Sequence, residues 1–568
     1  MSEFHIKNGT GHKHIDHEHH RLKIKVKGSG TLEVPYGTTI GELAERIQPE
    51  RPALLVAAVV NNVMRDRHRR LERDCELEML DINSIEGNGV YQRTAEFLLI
   101  KACRDVFPSK RLMVRHSISN GLYCELLDYE CTAEDIVAIE SRMRYLCEQD
   151  MPIHRHLIAT KAANAIFAAQ GQYEKIDVLR TRGQKSAHVY ELDGFYEYFY
   201  GHMLDRTGLL NEFNLLAAYG GLILQTPRFY DNCRIKPYNP RPRLAEIFRE
   251  EKEWVRMLKV PTVGAMNRIV RHGSIEELIR INEALHEKKI ALIADNICHD
   301  PQRRVVLISG PSSSGKTTFT ERLKIQMQVN GRHPVSISLD NYFIDKVLTP
   351  LDEKGDYDFE SLDALKLELF NEHLSMLLNG EEIEMPVYNF IAGNSNGPGI
   401  KLSLPPGEPV VIEGIHALND RLTSSIAPQH KYKIYISALT QIAIDYSNRI
   451  PTADVRLLRR MIRDHRTRGY EAVATISHWH SVRRGEEKNI FPYQENADIM
   501  FNSALTYELA VIKPLAVRLL RGIDASVPEY VAARRILKFL SYFEAMQPDD
   551  IPATSILREF IGGSCFHD

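Results

Sequence analysis

Cysteine is sparse and dispersed in this chain. The eight cysteines, at positions 75, 103, 124, 131, 147, 233, 298 and 565, form no C-x-x-C pair. That spacing excludes a zinc ribbon and a disulfide framework and points to reduced thiols in a cytoplasmic setting. No run of 18 apolar residues occurs and no signal peptide is recognisable, so a soluble protein without a membrane partner is expected. Charge of one sign is lacking too. A formal net charge of −3 gives no global drive toward nucleic acid, so any anion site must be local. What remains is ordinary globular composition, 43% apolar and 26% charged, over 568 residues. That length exceeds one core, and about three domains are expected.

Against this plain background one stretch is specific. Val305–Thr318 reads VVLISGPSSSGKTT, a β-rich run, a Gly-rich turn and the start of a helix over Thr317–Gln328. Gly310, Pro311, Ser312, Ser313, Ser314, Gly315, Lys316 and Thr317 fit G-x-x-x-x-G-K-[ST], with Thr318 opening the helix. In such a loop the glycines let consecutive N–H groups turn inward around phosphate oxygens, and the helix adds its positive end. Lys316 can reach the β- and γ-phosphates of ATP, and the Thr317 hydroxyl can ligate Mg²⁺.

Alternating strands and helices follow over 301–545. Strands are expected at Arg304–Ser309, Val335–Leu339, Pro409–Ile412, Lys431–Ile436 and Asp498–Phe501, which implies an α/β unit with a parallel sheet covered on both faces. Ligands bind beyond the carboxyl ends of such strands. Asp340 ends the second strand and Glu413 the third. With Thr317 they form an oxygen set suited to Mg²⁺, and an aspartate there can deprotonate an acceptor hydroxyl.

At these residues a family resemblance emerges. G-P-S-S-S-G-K-T-T, D-N-Y-F from Asp340, D-F-E-S-L-D-A-L (Asp358–Leu365), P-V-Y-N-F (Pro386–Phe390), V-V-I-E-G-I and R-L-L-R-R-M-I-R-D (Arg456–Asp464) resemble the uridine kinase and phosphoribulokinase group of P-loop kinases. The resemblance implies Asp340 as general base on a ribose 5′-hydroxyl and Glu413 near Mg²⁺. It places Tyr342, Phe359, Glu360 and Tyr388 around a nucleoside, and Arg460, Arg463 and Arg468 on phosphate. The arginine run also carries its own argument. Arg456, Arg459, Arg460 and Arg463 are spaced i, i+3, i+4, i+7 and share one helical face, so a partner anion is expected to offset their repulsion. A lid closing over ATP fits, with Arg463 in the catalytic set beside Lys316 and Asp340.

The chain departs from that group where uridine kinases carry a His and an Arg after P-V-Y-x-F. Gly393 and Ser395 fall there, and Tyr470 replaces a further arginine. The acceptor is therefore open: uridine or cytidine first, with another small alcohol or a sugar phosphate as the alternative. A third reading is a nucleotide-gated, RNA-associated regulator, which the near-neutral charge disfavours.

The front of the chain is built differently. Residues 1–20 hold six histidines among polar residues and read as a disordered tail with, at most, adventitious metal binding. Residues 21–85 alternate as strands around a helix Ile40–Ile47, and V-P-Y-G-T-T with L-V-A-A-V-V-N-N resembles the TGS β-grasp domain. Residues 90–225 resemble the second additional, editing domain of threonyl-tRNA synthetases through RTAEFLLIKACRDVFP, ISNGLYCEL and FYEYFYGHML. That family's H-x-x-x-H and C-x-x-x-H pairs are replaced here by Arg93 and Phe97, and by Phe199 and Met203. None of these can stand in for imidazole or thiolate. His202 alone reads as structural, and His154 with His156 lacks a third ligand. A domain without editing chemistry is expected, serving packing, homo-oligomerisation or regulation. Residues 226–300 read as a helical linker docking on the kinase sheet, and 546–568 as a C-terminal segment without assigned chemistry.

Overall fold

The computed structural model describes residues 21–566 other than 274, 352–354, 356 and 441; the histidine-rich stretch lies outside the described residues. The first unit begins where Leu22, Ile24 and Val26 alternate inward along the strand Arg21–Val26. Five strands form one mixed sheet, in the order Gly30–Pro35, Arg21–Val26, Cys75–Asp81, Leu55–Val60 and Val63–Asp66. The helix Ile40–Ile47 covers it. Thr39 starts that helix through a reciprocal cap with Glu42, each side chain bonding the other's backbone N–H, which satisfies two donors that the first turn leaves free.

The second unit opens on the 22-residue helix Ile85–Val106, capped by Ser84. It lies against a four-stranded antiparallel sheet and the helix Ala133–Glu148. A second, three-stranded sheet (His154–Ala159, Ser186–Leu192, Phe195–Glu197) carries the helices Thr160–Ala169 and Tyr173–Arg182.

The third unit is a five-stranded, wholly parallel sheet, ordered Val335–Ser338, Val410–Glu413, Val305–Ser309, Lys431–Ser437 and Ile499–Asn502. Each strand lies within a residue of its sequence expectation at either end, because a strand buried on both faces must be apolar throughout. Val305–Ser309 is central and fully buried. The helix Ile275–Cys298 docks on the helix Lys316–Val329 through Arg322, which pairs with Glu287 at 2.6 Å and Glu283 at 3.6 Å.

Hydrophobic cores do not follow the units read from the sequence. Val56, Ala57 and Leu80 of the first unit pack into the core of the second. Ala163, Phe167, Val178 and Val189 of the second pack into the same core as Val306, Ile308 and Phe319 of the third. Polar groups join the units as well. Asp66 is fully buried and accepts from His202 at 2.9 Å, with Arg155 at 3.1 Å. Burial alone would raise the Asp66 carboxyl, but His202 and Arg155 outweigh it and hold it at about 2. His202 is thus the structural histidine that the sequence suggested. Lys175, also without exposure, lies between Glu197 and Asp445, the latter at 3.2 Å.

Candidate active site

The strand Val305–Ser309 delivers the chain into the turn, and the helix begins at Lys316. Gly310 is required by packing: a Cβ there would lie 2.1 Å from the Ile436 carbonyl oxygen. Gly315 is required twice, by its φ of +86° and by Ile556, whose Cγ2 would be 2.5 Å from a Cβ. Ser313 also adopts positive φ, at 59°, so the loop's backbone turns as anion binding demands. Lys316 folds over this turn, its Nζ donating to the Gly310 and Pro311 carbonyls at 3.0 and 3.3 Å.

Carboxylates surround the loop. Glu413 ends its strand 8% exposed and accepts from Ser338 Oγ at 2.7 Å. Asp340 lies in the 3-10 turn Leu339–Tyr342, at the end of the neighbouring strand. Burial and then the Asp340 charge push the Glu413 carboxyl up to about 7, against Lys316 and the Ser338 hydrogen bond. Glu360 is raised to about 7 by burial and by Glu486, with Arg460 and Lys316 opposing. Asp340 and Glu413 therefore bring hard oxygen donors and surplus negative charge together beside Lys316, and Thr317 follows in the first turn of the helix, a set that fits Mg²⁺. Among the described residues no group of three or more His, Cys, Asp and Glu gathers as a metal centre.

The raised Glu413 carboxyl sets a pH expectation. Its protonated form is favoured by the fold, so its contribution to stability is present at low pH and is lost as pH rises from 4.5 toward 7. Binding a divalent ion has the opposite sign, because the proton must leave first. Mg²⁺ affinity is expected to weaken by nearly tenfold per unit below about pH 7, and Glu413→Gln to flatten that dependence. Calorimetric Mg²⁺ titration with the non-hydrolysable ATP analogue AMP-PNP, at about pH 6 and about pH 8, measures this; equal affinities would refute it.

The arginine helix, Thr452–Arg468, corrects the expectation of four arginines facing one external anion. Arg456 and Arg459 are 1% and 0% exposed. Arg456 pairs with Glu486, Nη2 to Oε2 at 2.7 Å, and Arg459 with Glu508. Burial alone would raise the Glu486 carboxyl, but Arg456 and Arg483 hold it below the usual range. The offsetting anions are thus the protein's own. Arg460, Arg463 and Arg468 share Asp464 at 3.3, 3.0 and 3.4 Å. Arg460 also donates to Ser312 Oγ at 3.0 Å, and Arg468 lies 4.9 Å over the Phe390 ring.

Phe343, Tyr388 and Phe390 form one aromatic wall, with Phe359 edge-on to Phe343 at 6.2 Å. Tyr342 does not belong to its open face. It is fully buried, its hydroxyl on His373 Nδ1 at 2.9 Å, so it supports the floor and is not a substrate contact. Its place in the strand-end motif is explained by packing against Phe370.

Two site residues had no sequence signal. Glu486 Oε1 accepts from the Ser312 N–H at 3.2 Å. Glu559, in the C-terminal segment, accepts at Oε2 from the Thr318 N–H at 3.2 Å and hydroxyl at 2.8 Å. Its turn is held by Arg466 Nη2 on the Glu559 carbonyl at 3.1 Å, and Phe560 lies under Arg459. A carboxylate thus sits on helix N-terminal donors that attract phosphate. Glu559→Gln keeps the acceptor oxygen but removes the charge, and is expected to lower KM for ATP by about threefold or more. An unchanged or raised KM would show that Glu559 does not compete with the nucleotide.

The positions corresponding to synthetase editing ligands are filled by apolar packing. Phe97 meets Phe195 at 6.2 Å and Phe199 at 5.8 Å, Met203 is fully buried, and Arg93 donates to the His202 carbonyl. No helix among the described residues is long and apolar enough to cross a membrane.

Comparison with known proteins agrees with both halves. Residues 305–510 match the Phosphoribulokinase / Uridine kinase family. The threonine–tRNA ligase of Symbiobacterium thermophilum is 30% identical over 201 residues, covering 35% of this chain and 31% of the ligase. That of Acetivibrio thermocellus is 25% identical over 201 residues, covering 35% and 32%. The chain spans about a third of the length of these curated relatives. Among solved structures, a protein described as a possible uridine kinase from Bacillus stearothermophilus aligns at 16% identity and TM-score 0.24, over 35% of this chain and 89% of that one. The chain thus joins a region similar to threonine–tRNA ligase to a P-loop domain whose residues 305–510 match the Phosphoribulokinase / Uridine kinase family.

Proposed function

We propose that this protein transfers the γ-phosphoryl group of ATP to the 5′-hydroxyl of a nucleoside, uridine or cytidine first. The observation that carries the reading is the convergence of Asp340, Glu413 and Lys316 at the carboxyl ends of adjacent parallel strands. Asp340 accepts the proton of the acceptor hydroxyl as its oxygen attacks. Lys316, Arg460 and Arg463 stabilise charge on the phosphoryl group in transit. Glu413, Asp340 and Thr317 would hold Mg²⁺, which would neutralise phosphate charge. The aromatic wall of Tyr388, Phe390 and Phe359 offers ring faces to a base, and Arg468 closes it from the helix side. Filled editing positions leave the synthetase-like region without the ligands of that chemistry, which favours turnover in the kinase domain over RNA processing.

ADP release from the full-length protein, followed across a panel of nucleosides and sugar phosphates with Lys316→Ala as control, tests the reading. Nucleoside-dependent ADP release lost in the control supports it. Release that answers only to a sugar phosphate would move the acceptor to that class, and release indifferent to every acceptor would overturn the kinase reading.

A further inference from the structure

A cavity of about 600 Å³ lies away from the Asp340 side of the loop, between the helix Ile85–Val106, the antiparallel sheet of the second unit and the start of the arginine helix. That volume suits a drug- or metabolite-sized ligand. Its wall includes Pro451, Thr452 and Ala453, the first turn of the arginine helix. Pro451 offers no side-chain cap. The N–H groups of Thr452 and Ala453 find no acceptor among the described residues. Beside them lies Arg449, with no hydrogen bond or ion pair among the described residues. The hydroxyl of Thr440, on the same wall, lacks a partner, and that of Ser119, a residue 5% exposed, has Tyr238 beside it. Unsatisfied buried polar atoms are uncommon in folded proteins and ask for a ligand or solvent.

The charge of the wall chooses the ligand's sign. Seven basic side chains face three acidic ones, Glu96, Asp231 and Glu487. Asp231 is paired with Lys236 at 2.6 Å, and Glu487 with Arg228 at 3.2 Å and Arg483 at 3.0 Å. Burial raises the Glu96 carboxyl, with Arg449 and then Arg93 opposing. An arginine with no hydrogen bond of its own and only Glu96 opposite it, an uncapped helix start and the unpaired Thr440 hydroxyl together make an anion seat.

We propose that this cavity is a regulatory site for a small phosphorylated metabolite, whose phosphate rests on the first turn of the arginine helix against Arg449. The helix couples the seat to the phosphate loop. One turn on, Arg456 donates to the Ser312 carbonyl at 3.0 Å and holds Glu486, which in turn holds the Ser312 N–H. Pro311 of the loop itself lines the cavity. An anion pulling on the helix start therefore acts on the backbone that receives ATP. The site does not depend on which acceptor the kinase uses.

The test is calorimetric titration of full-length Lys316→Ala protein, its phosphate loop disabled, with orthophosphate, ribose 5-phosphate and uridine monophosphate. At least one is expected to bind saturably at one per chain. Arg449→Gln is expected to weaken that binding by about tenfold or more, the worth of a charge-assisted hydrogen bond. Thr452→Pro provides a second variant, since proline fits the first helical position and removes one N–H without breaking the helix; it too should weaken binding. No saturable binding by any of the three probes, or binding equally tight in both variants, would overturn the proposal. Binding that only an RNA oligonucleotide shows would overturn it as well.

Discussion

Asp340→Asn is expected to lower kcat by about 10²–10⁴-fold, the usual worth of a positioned general base, with a smaller rise in KM for Mg·ATP from the lost magnesium oxygen. The asymmetry follows from position. Asp340 lies beyond the strand end on the acceptor side, whereas the triphosphate is held by the loop, Lys316 and the arginine helix. Asparagine preserves shape, so the fold should survive and thermal unfolding should stay close to the parent. A second consequence separates this from a merely structural role. The Asp340 charge is, after burial, the next cause raising the Glu413 carboxyl. Its removal should shift the pH dependence of Mg²⁺ binding toward lower pH. Steady-state kinetics over a pH series reads both effects. A variant with unchanged kcat would remove Asp340 from the chemistry.

Lys175→Met should destabilise the protein by about 3–5 kcal/mol, because it leaves the buried carboxylates of Glu197 and Asp445 without their cation. All three side chains are without exposure. Asp445 also accepts from the backbone of Ser447 and Asn448 at 2.9 Å, ordering the turn that leads to Arg449 and the arginine helix. The loss should therefore appear both as a lower unfolding midpoint and as weaker ATP binding. Replacing the cluster together, Lys175→Met with Glu197→Gln and Asp445→Asn, should recover much of the stability, since no uncompensated charge remains. Chemical denaturation of the three proteins completes the comparison. A single variant as stable as the parent would mean that the two carboxylates are neutral in the fold.

The filled editing positions and the kinase domain bear on each other. The front region is similar to threonine–tRNA ligases, and Phe97, Phe199 and Met203, at positions where that resemblance implied ligands, are core residues. That core is continuous with the first unit, and the rest of the second unit shares a core with the kinase sheet. The front region and the kinase domain are therefore structurally continuous, with Lys175 meeting Asp445 just before the arginine helix.

Much of the site was legible before any coordinates. The phosphate loop, the five parallel strands and the strand-end carboxylates Asp340 and Glu413 are written in local pattern. Apolar runs, turn glycines and the residue closing each strand depend on neighbours a few positions away, and a parallel sheet gathers its strand ends without further instruction. Tyr342 was misplaced because position along a motif does not say which way a ring points; packing against Phe370 and His373 turned it inward. The four-arginine face was right as geometry on one helix, yet two of its members meet Glu486 and Glu508, 30 and 49 residues away. Glu559 reaches Thr318 across 241 positions, and no local periodicity encodes such a meeting. The sequence alone determined which chemistry this chain carries, since short-range pattern dictates strands, turns and the groups at their ends. Only the tertiary structure decided which charges are neutralised and which stay available, because the partners of a buried side chain come from wherever the cores close.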